Sequence, residues 1–332
     1  MKNKKITIYE VAKAAGVSLA TVSRVINQSD LVKEKTANKV KEAISKLGYR
    51  PNAIAQGLAL QKSTTIAFIV PDTSFTYTGK VINGLLDVAR LYKYNVVLHT
   101  ISEGINEMSS VIENIIVSRV DGVIIYNDKL THDELEVLND YQVPIVIIGN
   151  RMSGDDLASV FVDVKKACDE LVSNYLAKGK DKIAILQDRK HHRSIVKLQE
   201  GASAAFERKG KSFNNYIEIS SEYRTSYSFL SNYFKEHKDL ELLICYRDSH
   251  ALAAINAAKE NNIKVPEQLE VVCIIDTKYN TMVRPQISSF TIPSYDLGAV
   301  AMRVMTKILN NDNNFDKEIE LSYLYTARQS TK

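Results

Sequence analysis

From Thr65 onward the chain alternates short β-branched apolar runs with helical stretches of about 12–18 residues, and that rhythm admits few folds. The runs are Thr65–Val70, Asn95–His99, Gly122–Tyr126, Ile145–Ile148 and Ser159–Val162. After Gly179 the series restarts with Lys182–Leu186, Tyr216–Ile219, Leu242–Cys245, Leu269–Ile275 and Ser288–Ile292. Each run is almost continuously apolar, as strands are when helices cover both faces of a parallel sheet. Two such series predict two doubly wound lobes, with a crevice at the carboxyl ends of their strands.

The first 62 residues follow another pattern. They hold twelve Lys and Arg against four acidic residues, a net of +8, which leaves −4 on the rest of a chain of net +4. A basic head on a mildly acidic body is the footprint of a protein that meets a polyanion with one end. Thr7 with Glu10 reads as a capping box opening a helix to Ala15, with Ile8, Val11, Ala12 and Ala15 on one face. Gly16 supplies the turn, and Ser18 caps a second short helix over Leu19–Asn27, whose Val22, Val25 and Ile26, with Val17, pack back on the first. Helix, glycine turn and helix within about 20 residues is the helix-turn-helix plan, in which the second helix enters the major groove. A third helix is predicted from about Lys33 to Leu47, ended by Gly48. Pro51 then suits the first position of a short helix, too short to be stable without support.

Thr7–Asn27, Tyr49-Arg-Pro-Asn-Ala53 and Gly57-Leu-Ala59 resemble the head and hinge of the lac-repressor/galactose-repressor family. The resemblance implies an all-α helix-turn-helix head plus hinge helix, then an α/β periplasmic-binding-protein-like core of two doubly wound lobes. It places the head at 1–49, the hinge helix and linker at 50–62 and the core at 63–332. The first lobe would take about 63–161 plus 292–320, and the second about 162–291 plus 321–332. It further implies a homodimer on double-stranded, pseudo-palindromic operator DNA. The recognition helix would start at Ser18, with Leu19, Ala20 and Arg24 toward base edges; Arg reads guanine and Ala touches a thymine methyl. Thr7, Thr21, Ser23 and Asn27 suit phosphate and positioning roles. In the hinge, Asn52 and Ala55 would lie in the minor groove, and Leu58 would wedge a base step and kink the duplex.

Sugar-responsive members of that family usually carry an Arg three residues before a Gly that opens a second-lobe helix. Here that Gly is read as Gly201 and the matching position is Leu198. Their Asp after the strand at Val271–Ile275 falls on Ile275, with Asp276 one residue later. Asp248 matches a family carboxylate at a helix start, and its plain role is an N-cap. Asp72, in the loop Pro71–Tyr77, with Asp248 and Asp276, completes the candidate effector cleft. Because apolar replacements leave sugar hydroxyls unsatisfied, a tight sugar effector is not expected, and any small-molecule effector stays open.

Ser294–Lys307 reads as a helix carrying Asp296, Val300, Arg303 and Lys307 along one stripe. By spacing alone this is a solvated face with cations near its C-terminal end, or a phosphoserine-binding strip. Arg90–Asn95, Met282–Gln286, Tyr295–Arg303, Thr306-Lys307 and Arg328–Lys332 resemble the catabolite-control branch of the same family. That resemblance implies seryl-phosphorylated HPr as corepressor. Arg303 and Lys307 would meet the phosphate region, with Tyr295, Asp296, Ala299 and Met302 supplying the surrounding surface. Leu324, Gly79–Asn83 and Leu19 depart from the branch's usual residues.

Other classes fit poorly. No apolar run approaches the roughly 20 residues of a membrane span, and the basic start leads into Tyr9-Glu10 rather than an apolar leader, so a cytoplasmic protein is expected and a secreted transport protein is not. Cys168, Cys245 and Cys273 fit no zinc or disulfide spacing. No Gly-x-Gly-x-x-Gly follows a strand and no phosphate-binding Gly-x4-Gly-Lys-Ser/Thr occurs. Asp248, Ser249 and His250 are adjacent and cannot converge as a triad, and His191-His192 find no further ligands at useful spacing. No enzyme activity, metal or cofactor is expected. The reading is a DNA-binding regulator of carbon catabolite control; the alternative is a sugar-responsive repressor of the same family with an atypical effector cleft.

Overall fold

The computed structural model describes residues 6–26, 31–50, 63–70, 76–101, 107–126, 137–138, 140–152, 154, 157–188, 193–312 and 314–332. The chain divides into two units, Met1–Thr64 and Thr65–Lys332. In the first, α1 (Ile8–Ala15), α2 (Leu19–Ile26) and α3 (Glu34–Leu47) each give one fully buried valine, Val11, Val22 and Val40, to a shared centre. The Thr7 backbone N–H donates to Glu10 Oε2 at 2.8 Å, which fixes the start of α1. Gly16 (φ 66°) and Gly48 (φ 65°) turn left-handed to end α1 and α3. Ser18 Oγ accepts the Thr21 N–H at 3.1 Å and caps α2. Asn27 and the hinge segment with Asn52, Ala55 and Leu58 lie outside the described residues.

The second unit holds two six-stranded sheets. The first contains β1 (Thr65–Val70), β2 (Asn95–Thr100), β3 (Gly122–Ile125), β4 (Ile145–Ile148), β5 (Leu157–Phe161) and β11 (Glu318–Glu320), in the order β11-β5-β4-β3-β1-β2. All its pairs are parallel. The second contains β6 (Ile183–Asp188), β7 (Tyr216–Ile219), β8 (Leu242–Cys245), β9 (Glu270–Cys273), β10 (Ser288–Thr291) and β12 (Leu324–Thr326), ordered β12-β10-β9-β8-β6-β7. Only the edge strand β12 runs antiparallel, against β10. Every run expected as a strand is one; the three-residue strands β11 and β12 were not anticipated.

Helices cover both faces. α4 (Thr76–Leu91) and α5 (Glu107–Val117) follow β1 and β2, while α6 (Val164–Ala177), α7 (Arg193–Glu207), α8 (Tyr223–Glu236), α9 (Asp248–Glu260) and the short α10 (Lys278–Met282) serve the second sheet. α11 (Ser294–Leu309) leaves β10 and returns to pack on β3, β4 and β5. The chain therefore passes between the sheets three times, at β5–α6, β10–α11 and β11–β12. Among the described residues no helix is long and apolar enough to cross a membrane.

α11 lies against α4 at backbone distance. A Cβ on Gly298 would collide with the Val81 carbonyl, and one on Gly84 with the Tyr295 carbonyl, so only glycine fits either position. Gly201 sits inside α7 rather than at its start, where a Cβ would collide with the Lys165 carbonyl on α6. The expectation that Gly201 opens a helix is thus corrected: its role is close helix packing. Leu198, three residues earlier, is fully buried in the same seam and cannot face a ligand.

Candidate nucleic-acid and partner interfaces

The buried side of α2 is fixed by Val22 and Val25, so the opposite side is available. Ala20 and Arg24, four residues apart, centre that free side with Ser18 and Leu19 exposed beside them. Thr21 and Ser23 are half-buried flankers, and the Thr21 hydroxyl shares a 2.9 Å hydrogen bond with Ser18. Thr7 is exposed, but its hydroxyl is turned to Glu10 at 3.1 Å. Tyr9, 69% exposed on the first turn of α1, is a candidate that sequence reasoning passed over; its exposure while Val11 and Ala12 are buried is the signal that marks it. The cations Lys13, Lys33, Lys35, Lys39, Lys41, Lys46 and Arg50 are exposed, so the positive charge of the head's described residues is available to solvent or a polyanion.

On α11 the expected stripe divides. Tyr295, Asp296 and Arg303 are exposed, and Lys307 is half-buried with its Nζ donating to the Asn314 carbonyl at 2.7 Å. Met302 is fully buried and Ala299 is 6% exposed, so neither supplies surface as expected. The physical reason is that α11 packs against both the first sheet and α4, which widens its buried face. In their place α4 contributes Asp87 and Arg90, an exposed pair at 3.0 Å. Tyr295 Oη donates to Asp87 Oδ2 at 3.0 Å across the two helices. That bond to a carboxylate holds the Tyr295 phenol above its ordinary value.

The second-lobe wall of the crevice turns its polar groups inward. Asp248 is the first residue of α9, not its N-cap, which is Arg247. Its Oδ1 accepts the Ser249 N–H at 2.7 Å and its Oδ2 the Thr277 hydroxyl at 2.6 Å. Asp276 accepts from Ser289 at 2.8 Å, Thr291 at 3.1 Å and Arg328 at 2.9 Å. Burial alone would raise its carboxyl, but Arg328 and the two hydroxyls more than offset this and hold it below its ordinary value. Arg247 pairs with Asp188 at 3.4 Å, both buried, a pairing no sequence pattern signalled. His250 is 1% exposed with Nε2 against the Ser220 carbonyl at 3.1 Å. Burial, and then the Arg247 charge, push it down to about 4. Asp72, His191 and His192 lie outside the described residues, and among the described residues no cluster of three metal-ligating side chains forms.

Apolar side chains remain exposed on each lobe: Val97 and Leu98 on the edge strand β2, and Tyr223, Phe229, Tyr279 and Met282 on α8 and α10.

Residues 7–52 match the family model of the bacterial regulatory proteins of the lacI family, and residues 172–331 match a periplasmic binding protein-like domain. Catabolite control protein A of Priestia megaterium is 34% identical over 333 residues, covering 98% of this chain and 99% of that protein. The protein of the same name from Staphylococcus aureus is 33% identical over 329 residues, with the same coverage. The HTH-type transcriptional regulator pepR1 of Lactobacillus delbrueckii subsp. lactis is 34% identical over 335 residues, covering 100% and 99%. In three dimensions the chain is similar to the lac repressor dimer bound to operator and an anti-inducer, with TM-score 0.85 at 23% identity and coverage of 98% and 99%. With an exposed recognition-type helix on a basic head, and relatives similar over nearly the whole length, the chain is a DNA-binding transcriptional regulator that belongs to the lacI family.

Proposed function

We propose that this regulator acts in carbon catabolite control: as a homodimer it binds a pseudo-palindromic operator, and seryl-phosphorylated HPr raises its affinity. The observation that carries the reading is Arg303, exposed on α11 between Lys307 and the Tyr295–Asp87–Arg90 cluster, which presents cations without an apolar cover. A phosphoserine takes charge-assisted hydrogen bonds from such groups. The similarity to catabolite control protein A over nearly the full length supports the same reading.

In this reading Leu19, Ala20 and Arg24 read base edges, while Thr7, Ser18, Thr21, Ser23 and Asn27 position the head on phosphates. Asn52, Ala55 and Leu58 act in the minor groove. The exposed apolar residues of β2, α8 and α10 supply the surface on which two copies meet. Docking on α11 and α4 favours the lobe arrangement that brings two hinge helices together, a population shift. The setting is the cytoplasm. A sugar-gated mechanism is the rival, and the inward-turned Asp248 and Asp276 argue against it.

Fluorescence anisotropy on operator DNA, with and without phosphorylated HPr and with candidate sugars, tests this. The expected result is tighter binding with the phosphoprotein and no response to sugars. A sugar response with no effect of the phosphoprotein overturns it.

A further inference from the structure

The second lobe carries a pocket of about 180 Å³ on its flank, away from the crevice-facing residues described above. One wall is the edge of α6, where Glu170, Asn174 and Lys178 stand at four-residue spacing and so line one stripe. The other wall is aromatic. Tyr323 and Tyr325, alternate residues at the edge strand β12, face the same side, while the intervening Leu324 points away and is 66% exposed. Phe290 backs them, its ring 5.6 Å from that of Tyr323 and 5.1 Å from that of Tyr325.

Size and lining together restrict what fits. A cavity of roughly 150 Å³ accommodates a single benzene ring, so this pocket takes one ring and a short substituent. Three aromatic faces and edges suit a flat ring at offset or edge-on geometry. At the far end the Lys178 ammonium lies 5.7 Å from the centroid of the Tyr175 ring and makes no ion pair among the described residues. Glu170, at the near end, accepts the Tyr323 hydroxyl at 2.7 Å. The charged side chains lining the pocket are thus two cations, Lys178 and Lys332, against the one carboxylate of Glu170, an excess of positive charge.

The pocket touches the third passage between the lobes. Tyr323 follows directly on the Leu321-Ser322 link from β11, and its side chain packs against the cores of both lobes, as does Ile292 at the second passage. Its bond to Glu170 ties that passage to α6. A ring seated against Tyr323 changes the contacts of a residue that both lobes share.

We propose that the pocket between α6 and β12 binds a small one-ring organic acid, with the ring against Phe290, Tyr323 and Tyr325 and the carboxylate on Lys178, and that occupancy is transmitted to the lobe arrangement through Tyr323. The binding claim stands without the catabolite-control reading; the transmission claim needs only that the chain binds DNA.

Isothermal titration of the full-length protein with benzoate tests the site, with benzyl alcohol as the uncharged probe. The expected result is one saturable benzoate site per chain. Lys178→Gln weakens benzoate by about tenfold, the loss of one charge-assisted hydrogen bond, and leaves benzyl alcohol unchanged. Asn174→Trp, which puts an indole into the mouth, removes both probes while the thermal unfolding midpoint stays within a few degrees of the parent. Absence of saturable benzoate binding, or benzoate binding that survives both substitutions, overturns the site. Operator anisotropy with and without saturating benzoate tests transmission, independently of HPr. A shift of about threefold that Asn174→Trp abolishes supports it, and an unchanged operator affinity in the parent overturns it.

Discussion

The two lobes share a sheet architecture but dispose of their polar groups in opposite ways. On the first lobe, α11 and α4 turn Asp296, Arg303, Asp87 and Arg90 outward, with Tyr295 exposed among them. On the second, the strand ends turn Asp188, Arg247, Asp248, His250 and Asp276 inward, onto each other and onto neighbouring hydroxyls. A charged group held in an internal pair contributes to the fold and has little left to offer a ligand. The contrast teaches that charge is left available to a partner on the α11–α4 face and is internally committed among these second-lobe residues.

That contrast has measurable consequences, because the same kind of substitution should act on stability in one lobe and on partner response in the other. The largest expected effect is Arg247→Ala, which leaves Asp188 buried without its cation; removing one partner of a buried pair costs about 3–5 kcal/mol. Urea unfolding checks it, and an Asp188→Leu/Arg247→Met double variant that recovers most of the loss would confirm that the charge, not the volume, is at issue. Next comes pH. The folded-state value of His250, about 4, lies below its ordinary 6.5, so the unfolded chain binds the proton first. Stability is therefore retained above pH 6.5 and falls as the pH drops from there toward 4, by on the order of 2–3 kcal/mol. His250→Gln should flatten that part of the pH–stability curve, and a curve unchanged by the substitution would separate His250 from the crevice network. Smaller is Gly298→Ala, where the added methyl meets the Val81 carbonyl. Overpacking of this kind costs about 2 kcal/mol, read as a lower unfolding midpoint, and it sharpens the comparison by asking how rigidly α11 must sit on α4. The smallest effect on stability is at Arg303. Arg303→Glu should change unfolding by less than about 0.5 kcal/mol, as exposed substitutions do, and leave basal operator affinity intact while abolishing enhancement by phosphorylated HPr. A loss of stability comparable to Arg247→Ala would place Arg303 with the inward-turned residues and break the contrast.

Much of this was legible in the sequence because it depends on period and on turn chemistry. The parallel strands announce themselves as β-branched runs, since burial on both faces removes the alternation that would otherwise blur them. The head is equally plain, because Thr7, Gly16 and Ser18 mark helix ends by local rules. β11 and β12 escaped notice because three residues at a sheet edge carry almost no pattern. The misplacement of Ala299 and Met302 has a different origin. A helix wheel reports which residues share a face, but not that a second helix, admitted by Gly84 and Gly298, covers part of the face that looks exposed. The crevice was legible as a set of carboxylates and illegible as an arrangement. Asp188 and Arg247 are 59 positions apart, and only the strand order β8-β6 brings them together.

The three passages between the sheets bear on how the protein is made. The first sheet lacks its edge strand β11 and its covering helix α11 until the whole second lobe has been synthesised, and the second sheet waits in turn for β12. Neither lobe can mature alone as it emerges from the ribosome. Two half-built sheets keep open borders until the final stretch of polypeptide arrives to close both, which leaves unpaired strand edges open to mispairing for most of translation.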